Sequence, residues 1–173
     1  MQYLRQSDLF NVIDYNKDTG DFIWKRAAGN VKKGDSAGGY SEGYLKININ
    51  KICYSAHRLA WLYVYGEFPK DQIDHINRVR SDNRIINLRN CTNKENRANS
   101  GKNKKNSSGY KGVSWHKATG KWQSQIAKDG VNVCLGFFDS KTAAAKKYND
   151  KALELNGKYA FQNKLRGIEL CSS

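Results

Sequence analysis

At 173 residues the chain has room for one domain or two small ones, each with a modest core. Thirty Lys and Arg against 16 Asp and Glu give a formal charge of +14, which points to a polyanionic partner, nucleic acid first. No apolar run reaches membrane-spanning length and no signal peptide follows Met1, so a soluble intracellular protein with no membrane partner is expected; Cys53, Cys91, Cys134 and Cys171 form no CxxC pair and suggest neither a structural zinc nor a disulfide framework.

Residues 1–56 alternate Gly-rich turns with short aromatic and β-branched runs. Phe22–Ile23–Trp24 after Asp18–Thr19–Gly20, and Tyr44–Ile49 turning at Asn50–Lys51 into Ile52–Cys53–Tyr54, read as a small antiparallel sheet. Its Lys25, Arg26, Lys32, Lys33 and Lys46 either lie along a DNA backbone or are simply solvated. His57–Tyr65 is apolar after its first two residues, a buried helix stopped by Gly66 with Pro69 beyond. His57 at its start reads as structural in preference to a second imidazole or a phosphate contact, while Arg58 can serve a phosphate or Asp71.

The stretch 73–99, IDHINRVRSDNRIINLRNCTNKENRAN, carries the chemistry. Asp74 and His75 are adjacent, so on a strand they point to opposite sides and need a partner from elsewhere; Asn87 and Asn96 are the candidates. Asp82–Asn83–Arg84 forms a turn or loop into an ordered apolar segment, and Thr92 precedes Glu95 at capping-box spacing, placing Asn96 on the first turns of a helix. A carboxylate and an amide oxygen are hard ligands suited to Mg²⁺ or Mn²⁺, with water and phosphate oxygens completing the shell. Asn87, able to donate and accept at once, would tie the hairpin to its loop and fix the His75 ring.

From Ser100 to Gly109 the composition turns to SGKNKKNSSG, a basic linker within a longer run, 96–128, that has no Asp or Glu. Arg97 at the start of that run suits a phosphate. Three strands follow at Tyr110–His116, Lys121–Lys128 and Val131–Phe138, the last two joined by Asp129–Gly130, and then one helix over Ser140–Gly157. Period-two alternation puts Val113, Trp115, Trp122, Ser124, Ile126, Val133, Leu135 and Phe137 against the helix and leaves Ser114, His116, Gln123, Gln125, Asn132 and Cys134 on the open face.

The 73–99 stretch, with DH at 74–75, Asn87–Leu88–Arg89 and a final Asn96, together with HRLAW at 57–61 and YGEFP at 65–69, resembles the HNH (ββα-metal) nucleases, most of all the phage-type homing endonucleases. The resemblance implies that Asp74 and Asn96 hold one divalent ion on the scissile phosphate and leaving 3′ oxygen, that His75 accepts a proton from the attacking water, and that the products are a 3′-hydroxyl and a 5′-phosphate. YKGV at 110–113, GKW at 120–122, LGFFDS at 135–140, the Ala-rich helix and Phe161–Gln162–Asn163 resemble the plant ethylene-response-factor (APETALA-type) DNA-binding domain. That family's open sheet enters the major groove, which implies base contacts from the open face and phosphate contacts from Lys111 and Lys121. This chain lacks the Arg residues and Trp that plant members carry there, so the plant target does not transfer.

The expected fold class is α+β: residues 1–99 as an N-terminal sheet and nuclease region, 100–109 as linker, 110–163 as a three-stranded sheet on one helix, and 164–173 as a tail. The expected activity is site-selective, divalent-metal-dependent cleavage of double-stranded DNA in a phage-infected bacterial cell, nicking as a monomer; the chain is expected to be a monomer or weak dimer with no evident protein partner. The alternative is a catalytically silent DNA-binding regulator.

Overall fold

A computed structural model of the chain describes residues 4–27 and 30–165. It is an α+β protein that divides into two compact units, with the boundary between Asn96 and Arg97. Cys171 and most of the 164–173 tail lie outside the described residues.

The N-terminal unit opens with α1 (Gln6–Val12), which runs directly into β1 (Ile13–Tyr15), paired antiparallel with β2 (Phe22–Trp24). No α1 is foreseen by the sequence reading. Its signal is the reciprocal Arg5–Asp8 pair, in which the Asp8 carboxylate accepts from the Arg5 backbone N–H and guanidinium. A second antiparallel sheet, β3 (Gly39–Ser41), β4 (Tyr44–Ile49) and β5 (Ile52–Ser55), turns at Asn50–Lys51 with both residues in the left-handed region, as a two-residue hairpin requires. Helix α2 (Ala56–Tyr65) follows without a break and ends at Gly66, whose φ of 84° is the left-handed stop. Leu9, Ile13, Phe22, Ile47, Leu59 and Leu62 form the centre of one core.

Next come β6 (Gln72–His75), a long loop with a 3-10 turn at Ile85–Asn87, β7 (Leu88–Cys91) and α3 (Asn93–Asn99). The β6–β7 register pairs Gln72 with Cys91, Asp74 with Arg89 and His75 with Leu88. Ile73 and Leu88 bury into the core, so packing holds this hairpin, and Thr92 and Glu95 close the capping box that starts α3. Gly20 matters here: at φ 82° a Cβ would lie 2.7 Å from the Arg84 backbone nitrogen, so only glycine lets the 83–84 backbone pass.

In the C-terminal unit β8 (Val113–His116), β9 (Lys121–Lys128) and β10 (Val131–Phe138) form an antiparallel sheet in the order β10-β9-β8. Helix α4 (Lys141–Asn156) packs Ala144, Ala145, Tyr148 and Ala152 on it, capped by the Ser140 hydroxyl, which accepts from the Ala143 N–H at 3.1 Å. Three residues expected against the helix are exposed instead: Trp115, Phe137 and Val133, the last 38% exposed near the start of β10. A bulge between Cys134 and Gly136 sends Phe138 to the helix and turns Phe137 out, against the His116 ring on the open face. Trp115, on edge strand β8, leans edge-on against Trp122 but stays 49% exposed.

Candidate active site

The hairpin and α3 tie Asn96 to the face of β6 that carries Asp74, while His75 lies on the opposite face and Asn87 on the loop between the strands. Gln72 and Asp74, two residues apart, project from the same side of the strand. The Asn96 side-chain NH₂ donates to Gln72 Oε1 at 2.6 Å, which fixes the carboxamide against the β6 strand. With its NH₂ committed to Gln72, Asn96 presents its carbonyl oxygen as the remaining polar atom, and Asn96 lines an open cavity of about 330 Å³ together with Tyr44, Lys46, His57, Arg58 and Gln72.

Asp74 is 5% exposed. Its cross-strand neighbour Arg89 donates to Oδ2 from Nη2 at 2.7 Å and from Nε at 2.9 Å. A buried carboxylate needs such counter-charge, and the guanidinium supplies it through two donors to one oxygen. The sequence leaves the role of Arg89 open; the register explains it, since strands of opposite direction place residues 74 and 89 face to face.

His75 is equally buried, on the other side of β6. Its ring sits edge-on to His57 at 5.2 Å between centroids and 6.1 Å from the ring of Tyr44, over which the Arg80 guanidinium lies at 4.8 Å. Burial holds the His75 imidazole below its ordinary value against the opposing pull of Asn83, Asp74 and Asp82, so it is neutral at pH 7. Burial, then the charges of His75, Lys46 and Arg58, bring His57 to about 3. His57 is therefore in ring contact with His75 and also lines the cavity, which the purely structural reading of it does not include.

Asn87 uses both ends of its amide on the loop after His75: Oδ1 accepts from the Asn77 N–H at 3.0 Å and Nδ2 donates to the Asp82 carbonyl at 2.9 Å. Its backbone carbonyl also accepts from Ile76 at 2.9 Å, so Asn87 acts on His75 through the backbone that follows it. Asp82 braces the same loop from within, held to about 2 by the Arg84 guanidinium and accepting from Asn77 as well.

The predicted DNA contacts are placed as follows. Arg58 lines the cavity and donates to the backbone carbonyls of Asp71 and Pro69, not to the Asp71 carboxylate. Arg97 is exposed on α3. Ser114, His116, Gln123 and Gln125 share the open sheet face, with Gln123 opposite both Ser114 and Phe137; Asn132 is exposed opposite Ala127. His116 Nδ1 is 3.0 Å from the Thr119 hydroxyl. Lys121 reaches Asp139 at 3.0 Å, an exposed pair that a phosphate can displace at little cost. The Lys111 ammonium donates to the carbonyls of Ala98 and Ser100 and lies over the Phe161 ring, so it fastens the 98–100 backbone.

Two residues of the site are not foreseen. Gln72 is legible from its two-residue offset to Asp74, but only the fold shows that Asn96 returns to it. Tyr44 comes from β4, some thirty positions upstream of the hairpin, and no local pattern links the two. Among the described residues no group of three or more His, Cys, Asp and Glu could hold a metal ion. One carboxylate and one carboxamide oxygen nevertheless fit a hard divalent cation that takes its other ligands from water and substrate.

Residues 54–98 match the HNH endonuclease family. The chain is 43% identical over 51 residues to APETALA2-like protein 2 of rice, covering 30% of this chain and 12% of that one, and 43% identical over 51 residues to the AP2-like ethylene-responsive transcription factor TOE2 of Arabidopsis thaliana, covering 30% and 10%. It thus spans about a tenth of the length of these plant relatives. No solved structure matches. It is 32% identical over 105 residues to Protein 3.8 of Escherichia phage T7, covering 60% of this chain and 86% of that one. On that coverage the chain belongs to the family of the phage T7 Protein 3.8, and it carries within it an HNH endonuclease segment.

Proposed function

We propose that the protein is a site-selective, divalent-metal-dependent DNA endonuclease of the HNH homing type, acting on double-stranded DNA in a phage-infected bacterial cell. The observation that carries the reading is the strand–loop–strand–helix segment in which Gln72 ties Asn96 to the face of β6 that bears Asp74, within the residues matched to HNH endonucleases.

Asp74 and Asn96 would hold one Mg²⁺ or Mn²⁺, which when bound supplies charge stabilisation to the transition state and the leaving oxygen. Arg89 supplies the buried Asp74 carboxylate with a counter-charge through two hydrogen bonds to Oδ2. His75, neutral at pH 7, has a nitrogen lone pair to take a proton from the attacking water. Asn87 is a positioning residue that holds the loop following His75. Attack by water with departure of the 3′ oxygen leaves a 3′-hydroxyl and a 5′-phosphate. One site per chain cuts one strand, so a monomer nicks, and a double-strand break needs a dimer or two successive nicks.

The C-terminal sheet would supply selectivity. Gln123 and Gln125 suit adenine, Ser114, His116 and Asn132 take several acceptors, and Lys121 takes a phosphate. Arg97 and the basic 100–109 linker would follow the backbone between the two regions.

The test is cleavage of supercoiled plasmid carrying host-phage DNA, in Mg²⁺ and in EDTA, for wild type and His75→Ala. Metal-dependent cutting at discrete positions, lost in the variant while DNA binding persists, is the expected result. Binding without cutting under every metal would instead favour a silent DNA-binding regulator on the same scaffold.

A further inference from the structure

The cavity beside Asn96 holds a set of charges that the nuclease chemistry does not use. Lys46 and Arg58 line it, His57 lies between them in sequence and shares the wall, and no lining residue is acidic. Lys46 is half-buried; its ammonium donates to the Ser55 hydroxyl at 2.8 Å and stands 5.8 Å over the Tyr44 ring. Arg58 spends two N–H groups on the carbonyls of Asp71 and Pro69, which orients the guanidinium without neutralising it. Among the described residues neither cation has a carboxylate partner, in contrast to Arg89 with Asp74 a strand away. Two oriented and partly desolvated cations with no counter-charge destabilise a fold unless an anion joins them. His57 Nδ1 is buried with no hydrogen-bond partner among the described residues, an additional polar atom left without a use by the fold.

We propose that this cavity seats one backbone phosphate of the DNA, gripped jointly by Lys46 and Arg58 with the His57 imidazole beside it. The proposal rests on the endonuclease reading for its ligand class, and a phosphodiester fits it on three counts. A phosphate offers several acceptor oxygens to donors from different directions. The volume exceeds what one anion needs, leaving room for the attached sugar. Asn96 borders the same space, so a phosphate seated there fixes the position of its neighbour along the strand relative to Asp74 and His75. Lys46 and Arg58 are then the residues that set which phosphodiester is presented for cleavage.

The experiment measures binding in EDTA, where cleavage plays no part. Anisotropy of a fluorescein-labelled duplex is followed from roughly 50 to 200 mM salt for wild type, Lys46→Gln, Arg58→Gln and the double variant, using the full chain. One shared phosphate predicts that the double variant loses about 0.9 from the slope of log K against log salt, with the single losses summing to no more than that. The ratio of wild-type to double-variant affinity then narrows about threefold over that fourfold rise in salt. A double-variant loss near zero overturns the proposal. So does a loss near 1.8, the sum of two separate backbone contacts.

A second measurement needs no variant: lysine acetylation of the wild type with and without duplex, read by mass spectrometry, is expected to show Lys46 protected. Equal labelling of Lys46 in both samples overturns the proposal even if Arg58→Gln fails to fold. Plasmid cleavage by wild type judges the nuclease reading separately, so a protein that protects Lys46 but never cuts keeps the pocket and loses the enzyme. One that cuts with Lys46 fully labelled does the reverse.

Discussion

Removing Arg89 gives the sharpest test of how the site is held. Its pair with Asp74 is 12% and 6% exposed at the two side chains, with N–H···O distances of 2.7 and 2.9 Å. An exposed ion pair of that geometry would contribute about 1 kcal/mol or less. Breaking a buried one costs about 3–5 kcal/mol, because the remaining carboxylate stays in a poorly solvating place without its guanidinium. Arg89→Met keeps most of the stem's volume and removes the charge. The expected loss is therefore about 3 kcal/mol or more, a fall of over 10 °C or so in the melting midpoint of the N-terminal unit. Asp74→Asn in the Arg89→Met background should recover part of this, since the amide needs no counter-charge; the double-mutant cycle reads the coupling directly. If Asp74 also binds a divalent ion, millimolar Mn²⁺ should raise the midpoint of Arg89→Met more than that of wild type, because the ion takes over the missing charge. Calorimetry in EDTA and in Mn²⁺ measures all four proteins. A loss under about 1 kcal/mol for Arg89→Met would refute the reasoning, since the pair would then be behaving as a solvated one.

Three further outcomes follow from single residues. His57 is held at about 3 by burial, below its unfolded value near 6.5, so the unfolded chain binds a proton that the folded chain refuses; stability is full above pH 6.5 and falls with acidification by up to about 1.4 kcal/mol per pH unit, somewhat less because His57 is only partly shielded. Urea unfolding at pH 7 and pH 5 should show that loss shrinking in His57→Gln, and an unchanged pH dependence would contradict it. Gln72→Leu frees the Asn96 carboxamide and should weaken divalent-ion affinity by about 10-fold or more with little change in fold, measured by Mn²⁺ titration calorimetry. Gly112→Ala should destabilise the C-terminal unit by at least about 2 kcal/mol, because at φ 74° the added Cβ meets the Tyr148 ring and the Gln125 carbonyl; circular-dichroism melting reads it.

Much of the architecture follows from local rules. The capping box at Thr92–Glu95, the Gly66 stop, the Asn50–Lys51 and Asp129–Gly130 hairpins and the Ser140 cap depend on residues within a few positions of one another, so their partners are visible in the sequence. The motif spacing of Asp74, His75, Asn87 and Asn96 is legible for the same reason. Where local patterns weaken, reading fails: α1 is seven residues with modest apolar periodicity, and the β10 bulge shifts the alternation by one residue, a change no period-two rule anticipates.

Sequence by itself determined the chemistry available: a basic chain with one carboxylate, one imidazole and two carboxamides spaced as in the HNH segment, joined to a sheet-and-helix module. Tertiary structure decided the partners. Strand register put Arg89 opposite Asp74, the return of α3 put Asn96 on Gln72, and the packing of β4 and α2 put Tyr44 and His57 around His75 and left Lys46 and Arg58 facing one cavity. These pairings join residues 15 to 31 positions apart in the chain, and their energy comes from burial and charge compensation, which exist only once the core has closed.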